Sequence, residues 1–185
     1  MIRPRLLIVT GSPAAGKTTL TTKLASELEL PVLSKDLVKE SLFDSVGAES
    51  LAASQRLGRA AYGVVFAVAH ELLGSGVSLI LEAPFIRGVS DADIEALIDI
   101  STAAFVVCTP RPEIVVDRYR RRAINRARYR GHMDQVRPEM VRPPSFEEPD
   151  LGVPRLRVDT SDGYQPSLPE IVSWLSETLG IAKCV

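Results

Sequence analysis

Short apolar runs alternate with longer amphipathic stretches along the chain. Leu6-Leu-Ile-Val-Thr10 has the length and composition of a buried strand, and residues 17–28 carry the period of a helix. A short second strand is expected over 31–34. It is followed by a helix over 36–43 and a long one over 49–73, which Gly74-Ser-Gly76 stops. Residues 77–82, 103–108 and 156–159 read as three further strands. One more helix begins at Arg111 and another runs over 169–179. Strands separated by helices predict an α/β fold, a parallel sheet with helices on both faces. Right-handed crossovers make it one doubly wound domain across residues 1–185. Residues 137–154 hold five prolines and are expected to form an irregular loop.

Composition narrows the classes of function. A chain of 185 residues with 45% hydrophobic and 24% charged residues suits one soluble globular domain. A net charge of -1 argues against a generic polyanion or membrane-surface binder, while leaving room for local clusters. Cys108 and Cys184 lie far apart and form no metal-ligand spacing. Cys108 sits in an apolar run and is expected to be a buried, inert thiol. The opening residues have no signal-like apolar region, and no stretch approaches the roughly 20 apolar residues of a membrane span. The expectation is a cytoplasmic protein with no membrane partner.

The sharpest chemical signal follows the first strand. Gly11, Ser12, Pro13, Ala14, Ala15, Gly16, Lys17 and Thr18 complete the pattern G-x-x-x-x-G-K-[ST] between a strand and a helix. Backbone N–H groups of such a loop cradle phosphates, and the positive end of the following helix adds to the attraction. Lys17 is expected to bridge the β- and γ-phosphates, and Thr18 to hold Mg²⁺ through its hydroxyl. Thr19 could cap the helix or reach the α-phosphate. ATP and Mg²⁺ are the expected cofactors.

Candidate acceptor residues lie at the ends of the next strands, where open α/β sheets bind ligands. Asp36 follows the second strand and is placed to accept a proton from an attacking hydroxyl. It would equally serve as a helix cap, a role open to Ser34. Lys39, one turn along, could bind an anionic part of the acceptor. Glu82 ends a very apolar strand, where a carboxylate must be solvated, paired or near a metal. Its options are a water-mediated Mg²⁺ contact, a hydrogen bond to the acceptor, or an ion pair with an arginine. Phe85 and Arg87 are expected to line the acceptor pocket.

Seven arginines fall within residues 118–130 with no acidic partner among them. On a helix Arg118, Arg122 and Arg126 share one face, and planar guanidinium groups suit phosphate oxygens. With His132 and the proline-rich stretch they would form a lid, over about residues 118–150, that excludes water during transfer.

Together the loop, Asp36-x-x-Lys39, Glu82, Cys108 with Arg118-x-x-x-Arg122, and Val158-Asp159-Thr160-Ser161 resemble a known group. This is the small P-loop kinases of the nucleoside-monophosphate-kinase-like fold. Within it the chain is similar to the family of chloramphenicol phosphotransferase and the kinase part of polynucleotide kinase. The resemblance implies a three-layer P-loop NTPase fold, strand order 2-3-1-4-5, and a lid between the fourth and fifth strands. It implies Arg118 against the adenine, Arg122 on the phosphates and Asp36 as general base. The loop of Asp159 and Thr160 would line the adenine site through its backbone. Polynucleotide kinases carry an arginine where this chain has Lys39, and no phosphatase domain accompanies it. The expected function is transfer of the γ-phosphate of ATP to a hydroxyl of a small-molecule acceptor, a metabolite or antibiotic-like compound. The alternatives are a polynucleotide 5′-hydroxyl kinase and a regulatory ATPase without acceptor.

Overall fold

Leu6, Leu7, Ile8 and Val9 are all fully buried, and they form the centre of the sheet. The computed structural model describes residues 3–124 and 146–181. Five strands run in parallel in the order β2-β3-β1-β4-β5: β1 Arg5–Gly11, β2 Val32–Ser34, β3 Leu79–Glu82, β4 Thr102–Cys108 and β5 Arg155–Val158. The sheet is therefore the expected 2-3-1-4-5 arrangement of a P-loop NTPase fold.

An unbroken apolar run makes a strand here because both faces are covered. Side chains alternate, so Leu6, Ile8, Leu79, Leu81, Phe105 and Val107 enter one core. That core is closed by α3 (Leu51–Gly74) and α4 (Asp91–Asp99). Leu7, Val9, Ile80, Ala104 and Val106 enter the other, closed by α1 (Lys17–Leu28) and α6 (Leu168–Leu179). The remaining helices are α2 (Lys35–Val46), packed on α3, and α5 (Pro112–Ile124).

Several boundaries differ from the sequence pattern. Helix α4 was not expected, because only Ile94 and Leu97 of its nine residues are buried and the apolar period is faint. Strand β3 starts at Leu79, leaving Val77 at the surface. Helix α2 continues to Val46, three residues past the expected end. Residues 146–154 are irregular as the prolines suggest, with Phe146, Leu151 and Val153 packed on the α3 side of the sheet. The middle of the expected lid, with Arg126 and His132, lies outside the described residues. Among the described residues no helix is long and apolar enough to cross a membrane.

Because all strands point the same way, their C-terminal ends meet at one edge. Gly11, Ser34, Glu82, Cys108 and Val158 are the last residues of the five strands. The loops that leave them build the site.

Candidate active site

The loop after β1 has a backbone that ordinary residues resist. Gly11 has φ 146°, and a Cβ there would lie 2.6 Å from the Cys108 carbonyl oxygen. Ala14 and Gly16 have φ 63° and 84°. Left-handed residues of this kind curl successive N–H groups into an anion-binding concavity. Gly16 is the N-cap of α1 and supplies no side-chain cap, so the first-turn N–H groups are not closed off by a capping side chain. The buried Lys17 ammonium donates to the Gly11 and Ser12 carbonyls at 3.1 and 3.0 Å. The Thr160 hydroxyl donates to the Ala15 carbonyl at 2.7 Å, which ties the loop to the chain after β5.

A carboxylate stands beside this loop. Glu82 is 1% exposed, and its cost of burial is met by two hydroxyls. Ser34 Oγ donates to it at 2.6 Å and Thr18 Oγ1 at 3.3 Å. Ser34 is also the N-cap of α2, its hydroxyl accepting from the Leu37 N–H. The capping role is thus taken by Ser34, and Asp36 sits in the first turn with its side chain about a quarter exposed. Lys35 pairs with Asp36 at 3.1 Å and lies 5.3 Å from the centre of the Tyr62 ring. Burial, and then the negative charges of Asp36 and Glu82, raise the Tyr62 phenol above its usual pKa, so it stays neutral.

On the other side of the loop Arg118 donates to the carbonyls of Thr160 and Ser161 at 2.5 and 3.3 Å. Its Nη1 is buried with no hydrogen-bond partner among the described residues. A Cβ on Gly16 would lie 3.2 Å from that nitrogen. Hydrogen bonding from the Ser161 side chain, and then from its N–H at 2.7 Å, holds the Asp159 carboxyl below its usual pKa range. Lys23 lies 5.0 Å from the centre of the Tyr164 ring.

One cleft of about 420 Å³ gathers most of these groups. Of the residues expected from the sequence, Ala14, Gly16, Lys17, Thr18 and Thr19 line it. So do Asp36, Glu82, Arg118 and Thr160. Asp159 shapes its own loop instead. Arg121, one of the seven arginines of the expected lid, lines the cleft too, as do Lys23 and Tyr164, which were not singled out from the sequence.

Two expected acceptor residues are displaced. Phe85 is fully buried in the core, with ring centres 6.1 Å from Tyr62 and 5.8 Å from Phe66, so it packs rather than lining an open pocket. Lys39 is 1% exposed between α2 and α3, where its ammonium donates to Ser54 Oγ at 3.0 Å. A Cβ at Gly58 would make only ordinary van der Waals contact with it, 4.0 Å from the amine. Arg87 donates from Nε to the Glu148 carbonyl at 3.3 Å, and its backbone N–H to that of Glu147. The Arg122 side chain and Arg126 fall outside the described part. Among the described residues no group of three or more His, Cys, Asp and Glu could hold a metal.

Comparison with known proteins agrees with this geometry. The sequence pattern of the AAA domain family matches residues 6–140. The crystal structure of a "putative kinase" from Chloroflexus aurantiacus J-10-fl is 35% identical, over 96% of this chain and 99% of that one, with a TM-score of 0.86. Kti12 of Chaetomium thermophilum in complex with ADP-AlF3 has a TM-score of 0.64 at 20% identity, over 94% and 98% of the two chains. The Mycobacterium tuberculosis APS kinase CysC in complex with AMPPNP and APS has a TM-score of 0.61 at 17% identity, over 97% and 99%. These last two share the fold. No curated protein matches the sequence. With its phosphate loop, its sheet order and this match over residues 6–140, the chain belongs to the AAA domain family, among the P-loop kinases of the nucleoside-monophosphate-kinase-like fold.

Proposed function

We propose that this protein is an ATP-dependent phosphotransferase that moves the γ-phosphate of ATP to a hydroxyl of a small-molecule acceptor. One observation carries the reading: Asp36 lines the same cleft as Lys17, Thr18 and Arg118. A carboxylate in that position is placed to accept the proton of an acceptor hydroxyl. The AMPPNP and ADP-AlF3 held by two proteins of this fold support ATP as donor.

In this mechanism the acceptor hydroxyl gives its proton to Asp36 as its oxygen forms a bond to the γ-phosphorus. The bond from that phosphorus to the β–γ bridging oxygen breaks, and its electron pair leaves with ADP. Lys17 exchanges its loop carbonyls for the β- and γ-phosphate oxygens. Arg118, with its unpaired Nη1, faces the nucleotide, and Arg122 lies one helical turn further along. Thr18 and the carboxylate behind it form an all-oxygen pair that suits Mg²⁺. When bound there, Mg²⁺ would screen the phosphate charge.

The test is ADP release over a panel of metabolites, antibiotics and 5′-hydroxyl oligonucleotides. Asp36→Asn should lower acceptor-dependent release by about 10²–10⁴-fold. ATP hydrolysis that no acceptor accelerates and that Asp36→Asn leaves intact would replace this reading with a regulatory ATPase.

A further inference from the structure

Ser34 and Glu82 are the last residues of neighbouring strands and stand opposite each other in the β2–β3 pairing. Their side chains meet at 2.6 Å, and both are buried. Strand β2 is three residues long and forms one edge of the sheet. The bond therefore fastens the tip of a short edge strand to the buried end of β3.

A serine hydroxyl has one proton to give and two lone pairs to offer. The Ser34 proton goes to Glu82 Oε2, and a lone pair receives the Leu37 N–H at 3.5 Å, which caps α2. Asp36 lies two residues further on, in the first turn of that helix. The other oxygen of the carboxylate, Oε1, receives the Thr18 proton at 3.3 Å. If Thr18 Oγ1 gives a lone pair to Mg²⁺, its proton still needs an acceptor, and Glu82 Oε1 supplies one. The terminal torsion of a glutamate side chain is broad, so Glu82 by itself does not keep Oε1 turned toward Thr18. Ser34 adds that restraint by holding Oε2.

We infer that Ser34 is a positioning residue that acts in two directions. It orients Glu82, and through it Thr18, toward the metal, and it starts the helix that carries Asp36. One hydroxyl thus joins the metal side of the cleft to the proton acceptor. The inference rests on the phosphotransferase reading and adds to it a residue placed behind the reacting groups.

Mn²⁺ in place of Mg²⁺ reports the metal side, and its affinity for the AMPPNP-loaded protein is measured by electron paramagnetic resonance. Ser34→Gly removes the proton donor but leaves a residue that helix N-caps accept, whereas Ser34→Thr keeps the hydroxyl. Ser34→Gly should weaken Mn²⁺ binding about tenfold, and Ser34→Thr should restore it. In a Glu82→Gln protein, Ser34→Gly should add no further loss, because the two side chains act in series. Ser34→Cys, a weak donor of similar size, gives the same comparison if Ser34→Gly does not melt cooperatively. The link to α2 is read by hydrogen exchange. Mg²⁺ added to the AMPPNP-loaded protein should slow exchange in the first turn of α2, and Ser34→Gly should abolish that response. Unchanged Mn²⁺ affinity in folded Ser34→Gly, or equal losses in the wild-type and Glu82→Gln backgrounds, would reduce Ser34 to a helix cap and overturn the inference. Exchange in α2 that ignores Mg²⁺ would overturn it too. None of these readouts involves an acceptor, so their failure leaves the phosphotransferase reading standing, and failure of the acceptor screen leaves them unaffected.

Discussion

Thr18 Oγ1 donates to Glu82 Oε1 at 3.3 Å, joining the first turn of α1 to the end of β3. The second oxygen of Glu82 is held by Ser34, so one buried carboxylate links three segments of the site. If Thr18 binds Mg²⁺, Glu82 acts behind it as the group that orients the ligand. Glu82→Gln should then raise the Mg²⁺ concentration for half-maximal activity by about 10–100-fold. Titrating activity with MgCl₂ at saturating ATP checks this, and an unchanged half-saturation would remove Glu82 from the metal's surroundings.

In the proposed function Lys17 is the phosphate cation of the loop. Lys17→Ala should reduce ATP turnover below detection while the melting curve stays cooperative. In this structure its amine donates to the carbonyls of Gly11 and Ser12, contacts that the truncated side chain would vacate. Activity retained in a folded Lys17→Ala protein would contradict the phosphate-loop assignment.

The two loop glycines should fail differently. Gly11→Ala places a methyl 2.6 Å from a backbone oxygen at a positive φ, which should cost about 2–4 kcal/mol of stability. Gly16→Ala is also strained by its φ of 84°, but sterically it meets only the end of the Arg118 side chain at 3.2 Å, a neighbour that can shift, so it should cost less stability than Gly11→Ala. Its main effect should therefore be weaker nucleotide binding. Urea unfolding and a fluorescent ADP analogue separate the two effects.

Phe85 offers a test of packing against contact with the acceptor. Phe85→Ala should destabilise the protein by about 3–5 kcal/mol in chemical denaturation, as loss of a fully buried aromatic ring does. A stable Phe85→Ala protein with a raised acceptor KM would restore it to the acceptor pocket.

Burial pushes the Cys108 thiol up to about 12, with the nearby Lys17 charge opposing that rise. The unfolded chain releases this proton near 9.0, whereas the folded chain holds it. The stability linked to this group is therefore intact below pH 9.0 and is lost as pH rises from there toward 12. In a Cys184→Ser protein, iodoacetamide at pH 8 should leave Cys108 unmodified until denaturant is added. Rapid labelling of the native protein would refute its burial.

The nucleotide half of the site was legible because it is contiguous. Residues 11–18 carry glycine where the backbone turns back, then lysine and threonine where phosphate and metal would lie, all between a strand and a helix. The acceptor half is assembled from separate elements, and there the reading along the chain went astray. Helical spacing grouped Lys39 with Asp36, but the packing of α2 on α3 draws Lys39 inward to Ser54. One cation that reaches Asp36 is its neighbour Lys35, placed against Tyr62 of another helix. Tyr164 lines the cleft because the chain after β5 returns beside α1, a proximity that no local pattern encodes.

By itself the amino-acid sequence determined the parallel α/β sheet and the phosphate loop, because apolar runs and glycine placement act over a few neighbouring residues. Tertiary structure decided which side of α2 faces solvent, that Phe85 serves the core, and that Asp36 and Glu82 line one cleft with Lys17. Those outcomes depend on which helix covers which face of the sheet, and burial and charge are properties of that assembly.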